Sequence, residues 1–500
     1  MKYLRGIKVS DEIFEDCGVV GIKSYKGENV VPAIYWALLT LNHRGQQSYG
    51  IVTYDKKFNV VKGLGLIADL DIERMSGWCV KLRASLGVGH VRYATSGSID
   101  KRKLFEDAQP IIVAHEGRKV CIAYNGNIAN VVPLRREIEE MGIEINGTSD
   151  AYVLAYELLL GIEDEGDLIE GVKRVLEKVD GAFSVVGITS EGEMFAFRDP
   201  HGIKPLIFGI SEDEETVGIA SENVALAVNG ILKNRSIAPG ELIVAEEDVN
   251  SYQLHNGTEA LCAFEYAYFA RPDSKLSNGK YVYEVRRELG RRLARRYHEV
   301  AQRVDIIVPV PQTAEDAAYG FHIETGKPIE PIIVRHRYLR HRAFIMTKRE
   351  REAIVSHKYN ILYDKVRGKR IALIDDSIVR GDTLKYIVHV LRRAGAKEIH
   401  VFSTFPKIIS PCFYGIDMAT FHELIGFNRD EEEIAKILGV DSVNYQTIRD
   451  FCEAVGTNNL CLACVTGRYP TPYAQKIADE GRKLALSGSR IRGRLVEWGG

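Results

Sequence analysis

Two adjacent carboxylates end an apolar run in the stretch IALIDDSIVRGDT, residues 371–383. Ile371, Ala372, Leu373 and Ile374 read as a buried parallel strand. Asp375 and Asp376 then stand at its carboxyl end, where open α/β sheets bind ligands. The backbone from Ser377 through Gly381 to Thr383 leads into a helix start, where amides and hydroxyls can cradle a phosphate. A lone apolar-Asp-Asp pair is equally an ordinary turn with an N-capping acid, so the length of the string carries the reading. A second group is the CxxC formed by Cys461 and Cys464, which alone says little. Eight cysteines in 500 residues are too sparse for a disulfide scaffold and read as core thiols, a nucleophile or metal ligands.

The elements that position these groups fall into two patterns. From Cys17 to about Ala245, short β-like runs such as CGVVGI, GIVTYD, KVCIAYNG and FSVVGIT alternate with glycine turns. Ala33–Leu41 and Ala151–Leu160 have helical spacing between them, which predicts an α+β domain of sheets covered by helices. The chain turns polar at Glu246–Gly257. Beyond it, a basic helix candidate from Tyr283 to Arg303, the strand VDIIVPVP, the IALIDD strand, the helix Thr383–Ala394 and the strand EIHVFSTF alternate as in a mostly parallel sheet. We therefore expect a short leader (1–16), domains over 17–250 and 251–470, and a charged helical tail (471–500).

Composition bounds the partners. A hydrophobic share of 45%, a charged share of 27% and a formal net charge of −2 are those of an ordinary globular protein. That balance gives no reason to expect nucleic acid or an anionic membrane as a partner. No run of about 18 apolar residues suggests a membrane span, and residues 1–16 lack the apolar core of a secretion signal. A cytoplasmic setting is expected.

The first half resembles the class II glutamine amidotransferases. CGVVGI (17–22), HRGQ (43–46), GHVRYATSG (89–97), YNGN (124–127), SD (149–150), FRDPHGIKPL (197–206) and SEN (221–223) match that family in order and approximate spacing. The resemblance implies an αββα N-terminal nucleophile hydrolase fold and removal of residues 1–16 as a propeptide, so that Cys17 becomes the first residue. A free α-amine, with a reference pKa of about 7.7–8.0, can then serve as base for the thiol it is attached to. The same resemblance implies that Asn125 and the Gly126 N–H stabilise the oxyanion, that Arg92 holds the α-carboxylate of glutamine, that Asp150 holds its ammonium group, and that Arg44 belongs to the glutamine site. Gln47 and Tyr49 depart from the family's usual acid and small residue.

The second half resembles the transferase domain of the amidophosphoribosyltransferases, through SIVRG in the opening stretch, CAFEYAYFARPDS (262–274) and PCFYGIDMAT (411–420). This implies an α/β type I phosphoribosyltransferase domain that binds phosphoribosyl pyrophosphate (PRPP) with Mg²⁺ through Thr313, Asp375, Asp376, Ser377, Gly381, Thr383 and Lys358. Ammonia would displace pyrophosphate to give phosphoribosylamine, the opening step of purine synthesis. Cys262, Cys412, Cys461 and Cys464 fall where the cluster-bearing branch of the family ligates a [4Fe–4S] cluster, which would make the protein oxygen-sensitive. A structural Zn²⁺ would accept the same four thiolates. A homotetramer inhibited by purine nucleotides is the implied assembly. Three departures stand out: Gln312 replaces an acid, Asp382 replaces a threonine, and the basic lid at 335–351 is altered. They leave open a paralogue with another phosphorylated acceptor, or a catalytically weak nucleotide sensor.

Overall fold

The computed structural model describes residues 17–93, 101–335 and 359–489. The expected propeptide, residues 94–97 of the GHVRYATSG motif, the basic lid beyond Arg335, Lys358 and residues 490–500 lie outside them.

Strand alternation explains the first half. The strand Gly18–Ser24 is the central member of a seven-stranded antiparallel sheet, flanked by Leu86–Arg92 and Thr216–Ala220. Its Val20 and Ile22 pack with the helix Val31–Thr40, whereas Val19 turns to the other side. A second sheet of six strands carries Arg118–Ile128 between Ile111–His115 and Gly181–Thr189. Cys121 and Ala123 of that strand pack against Val19 and Val88 of the first sheet, while Ile122 and Tyr124 face the helices Asp150–Glu165 and Leu168–Lys178. The result is helix, sheet, sheet, helix, the αββα arrangement expected. Because side chains alternate with period two, Cys17, Arg92 and Asn125 share the side of their strands that faces between the sheets.

The second half is a parallel sheet in the order Ile306–Pro309, Arg370–Asp375, Glu398–Ser403, Ser442–Tyr445. Ile371 and Leu373 pack with the helix Asp382–Arg393. Ala372 and Ile374 face the helices Val282–Arg296 and Glu315–Thr325. Burial on both faces is why this strand reads as an unbroken apolar run. The single basic helix expected from Tyr283 to Arg303 is instead two, Val282–Arg296 and His298–Arg303. Tyr297 leaves helical geometry between them, its hydroxyl donating to the Tyr445 carbonyl at 2.9 Å.

Within the second half, Leu261–Cys262 pairs in parallel with Leu460–Cys461. Other contacts join the halves. Asn127 Nδ2 donates to the Phe413 carbonyl at 3.0 Å. The helix Pro472–Leu486 buries Ala474, Ile477 and Ala478, and the Tyr473 N–H at its start donates to Asp180 at 2.8 Å.

Candidate active site

The residues expected to handle glutamine gather at one end of the sandwich. Cys17 is buried, its Sγ 3.4 Å from the Tyr93 carbonyl. Asn125 pairs across the sheet with Ser184, and both polar atoms of its buried amide have no partner among the described residues. An unsatisfied buried amide costs about 1–3 kcal/mol unless a ligand meets it, so this side chain is set for an outside group. Gly126 beside it has φ +152°, and a Cβ there would fall 1.8 Å from the Ala182 carbonyl oxygen. No side chain fits without moving the neighbouring strand. Gly126→Ala should therefore displace the amide it shares with Asn125, lowering glutamine hydrolysis by roughly 10²-fold, the scale of losing an oxyanion donor. Glutamate release measures this.

Asp150 begins the helix Asp150–Glu165, with Ser149 as its N-cap. Its carboxylate accepts from the Tyr124 hydroxyl at 3.0 Å and the Ile128 N–H at 3.1 Å. Burial, with Asp150 alongside, pushes the Tyr124 phenol well above its ordinary value, so it remains a donor. Asp107, which the motifs did not single out, accepts from the Thr148 and Ser149 amides at 2.9 and 3.2 Å and lies 3.9 Å from Arg92. It therefore ties Arg92 to the turn that carries Asp150. His90, two residues before Arg92, is driven by burial down to about 3. Its neutral ring bonds the Tyr124 carbonyl at 3.0 Å, which requires the proton on Nε2 and braces one sheet against the other.

Arg44 is fully buried, and its guanidinium donates to the Cys17 carbonyl at 3.2 Å, to Glu222 at 2.7 Å, and to both oxygens of Glu265 at 3.0 and 2.6 Å. The fork is matched to carboxylates already in the protein, and it holds the backbone of Cys17. Glu222 also accepts from the Arg271 N–H at 3.0 Å and the Ser274 hydroxyl, and pairs with His43 at 2.8 Å. Burial alone would raise its carboxyl, but His43, Arg44 and Ser274 together hold it well below the usual range.

At the phosphate loop, in-register pairing of Ile306 with Ile371 brings Thr313 beside the end of the Asp375–Asp376 strand. The Thr313 hydroxyl donates to one oxygen of Asp376, and the Ser377 hydroxyl to the other at 2.6 Å. The Asp375 and Asp376 carbonyls are held by the Thr404 and Phe405 amides at 3.0 and 2.9 Å. Burial raises the Asp376 carboxyl, opposed by those hydroxyls and by Arg286. Gly381, with φ +79°, precedes the helix Asp382–Arg393, leaving Thr383 in its first turn. Asp382 is buried there, 3.9 Å from Lys385, a cation that offsets its charge next to the loop. Arg380 of the SIVRG string turns away, bonding Glu423 at 2.8 Å and the Asp417 carbonyl at 3.0 Å. It anchors the loop to the YGID segment.

Cys262 and Cys461 are register partners in the short parallel ribbon, and Cys464 begins the turn that follows. Burial pushes Cys461 up to about 12 and Cys464 well above its ordinary value, with nearby Cys412 adding to both. Among the described residues, the group of acids, histidines or cysteines whose ligand atoms fall within 4.8 Å of one another is His115, Glu116 and Glu163. No three of the four thiols draw that close.

A glutamine amidotransferase domain model matches residues 95–253. Amidophosphoribosyltransferase of Methanocaldococcus jannaschii is 39% identical over 477 residues, covering 91% of this chain and 98% of that protein. The enzyme of the same name from Methanothermobacter thermautotrophicus is 40% identical, covering 94% and 97%. The chain belongs to the amidophosphoribosyltransferase family. The solved glutamine PRPP amidotransferase of Bacillus subtilis, complexed with ADP and GMP, superposes with a TM-score of 0.81 at 35% identity, covering 91% of this chain and 98% of that one. A class II glutaminase domain followed by a phosphoribosyltransferase domain is thus the architecture of this chain, and among the described residues no helix is long and apolar enough to cross a membrane.

Proposed function

We propose that this chain is a glutamine-dependent amidophosphoribosyltransferase in which Cys17 releases ammonia from glutamine and the ammonia displaces pyrophosphate from PRPP. The observation that carries it is Asn125, a buried amide without a partner among the described residues, on the same inter-sheet side as Cys17. The thiol attacks the side-chain amide carbon, the C–N bond breaks as ammonia leaves with a proton, and water hydrolyses the thioester to glutamate. Asn125 and the Gly126 N–H would hold the oxyanion, Arg92 and Asp150 the amino-acid ends. In the second half the amides from Ser377 to Thr383 would receive the 5′-phosphate, and Asp375 and Asp376 the ribose hydroxyls. Mg²⁺, entering with PRPP, would neutralise charge on the departing pyrophosphate. Ammonia forms the new bond at C1 as the C1–O bond to pyrophosphate breaks.

The test is pyrophosphate and glutamate formation from PRPP and glutamine by anaerobically purified protein. Equal release of the two supports the reading. Glutamine hydrolysis indifferent to PRPP, or coupled only to another phosphorylated acceptor, would sink it. Purine nucleotides as feedback ligands, a homotetramer and a cytoplasmic setting belong to the same proposal.

Cys262, Cys412, Cys461 and Cys464 would hold a [4Fe–4S] cluster, whose part is to cross-link the tail to the transferase half. Three buried thiols and the half-buried Cys412 supply its usual ligand set. Anaerobic protein should carry about four irons and matching labile sulfide per chain. Cys464→Ser should lose them and melt at a lower temperature; stoichiometric zinc in place of iron would refute the cluster.

A further inference from the structure

The carboxylates that grip Arg44 come from different parts of the chain. Glu222 follows the strand Thr216–Ala220 of the first sheet, whereas Glu265 opens the turn Glu265–Phe269, just after the ribbon strand Leu261–Cys262 that pairs with Leu460–Cys461. Glu265 is fully buried between Phe264 and Tyr266, and its two oxygens take two bonds from the guanidinium that also holds the Cys17 carbonyl. Its own turn is fixed from the far side. Arg286 of the helix Val282–Arg296, itself buried, donates to the carbonyls of Tyr266, Tyr268 and Ala270 at 2.9, 3.1 and 2.8 Å. The charges attracting Arg286 include Asp376 of the phosphate loop and Asp316.

We propose that Glu265 is a positioning residue for glutamine hydrolysis, supplied by the transferase half: it orients Arg44, and Arg44 sets the backbone of Cys17. The nucleophile's placement is complete only when the two halves are docked. The proposal rests on Cys17 being the nucleophile. The turn carrying Glu265 is also the one held by Arg286, a guanidinium that the carboxylate of Asp376 attracts. A displacement of about 1 Å at a reacting atom lowers rates by roughly 10²-fold, so a loosened Cys17 should register in turnover before binding.

The experiment compares the full-length holoenzyme with Glu265→Gln and Arg44→Lys. Glu265→Gln keeps the shape and removes the charge; Arg44→Lys keeps the charge and removes the fork. Both should lower the glutamine-dependent kcat by about tenfold to a hundredfold, with KM for glutamine moving less than about threefold. Alkylation of Cys17 by 6-diazo-5-oxonorleucine should slow in parallel. Ammonia-dependent transfer to PRPP should stay within about twofold, and Glu265→Asp should recover part of the loss. An unchanged glutamine kcat in both variants overturns the proposal, as does loss of ammonia-dependent transfer in step with it, which would mark a purely structural pair. If wild-type Cys17 resists the diazo reagent, the nucleophile assignment has failed, and that outcome is distinct from a failure of Glu265.

Discussion

Cys17→Ala should abolish glutamine-dependent formation of pyrophosphate while ammonia at high concentration still supports it. Removing an activated nucleophile lowers turnover by many orders of magnitude, about 10⁶-fold in a well-studied hydrolase. Among the described residues, neither neighbouring group replaces the thiol: the Tyr124 hydroxyl is held by Asp150 and pushed well above its usual pKa by burial, and His90 is neutral and bonded to the Tyr124 carbonyl. The transferase groups lie on another sheet, whose backbone is fixed by its own strand pairing. Alanine at a site 8% exposed removes a small volume and should leave the fold intact. Paired assays with glutamine and with ammonium chloride at alkaline pH measure the effect. Loss of both activities would contradict two sites joined by an ammonia transfer.

Asp376→Asn should lower transfer with either nitrogen source by roughly 10²-fold or more, the scale of removing a preorganised charged group from a reaction centre. The substitution is nearly isosteric, so the reason is electrostatic. One oxygen of Asp376 accepts from Thr313 and the other from Ser377. An amide offers a donor where one hydroxyl also donates, which turns at least one hydroxyl out of place and takes a negative charge away from the ribose and its metal complex. Arg286 would then lose an attracting carboxylate. Initial rates across PRPP and Mg²⁺ concentrations should show the loss mainly in kcat/KM for PRPP. Wild-type values for Asp376→Asn would remove this carboxylate from the reaction.

Local sequence revealed more of the fold than of the wiring. Alternation in CGVVGI and KVCIAYNG identifies strands and, by parity, the face that Cys17 and Asn125 share. The apolar run before Asp375 identifies a strand buried on both faces, which the parallel sheet bears out. Arg44 shows the boundary. Its motif marks a place near Cys17, but its partners Glu222 and Glu265 lie 178 and 221 residues away in the chain, where no local periodicity points. A faint signal was present: Glu265 sits in AFEYAYF, an acid within an aromatic run, and a carboxylate buried there must find a cation. Asp107 offered nothing comparable, because its role depends on how a loop folds back onto the Ser149 turn. The break at Tyr297 likewise depends on a carbonyl 148 residues away.

The parallel ribbon of Leu261–Cys262 and Leu460–Cys461 has a consequence for the unfolded chain. If the proposed cluster joins Cys262 to Cys461, it encloses about 200 residues, and closing a ring of that size removes conformational freedom worth about 5 kcal/mol on the chain-entropy model. That is comparable with the whole net stability of many domains. Losing the link would leave most native contacts in place yet release the denatured ensemble, so damage would appear as failure to refold after transient opening more than as distortion of the native form. The working lifetime of the chain would then follow its exposure to oxidants, independently of how well either catalytic centre is built.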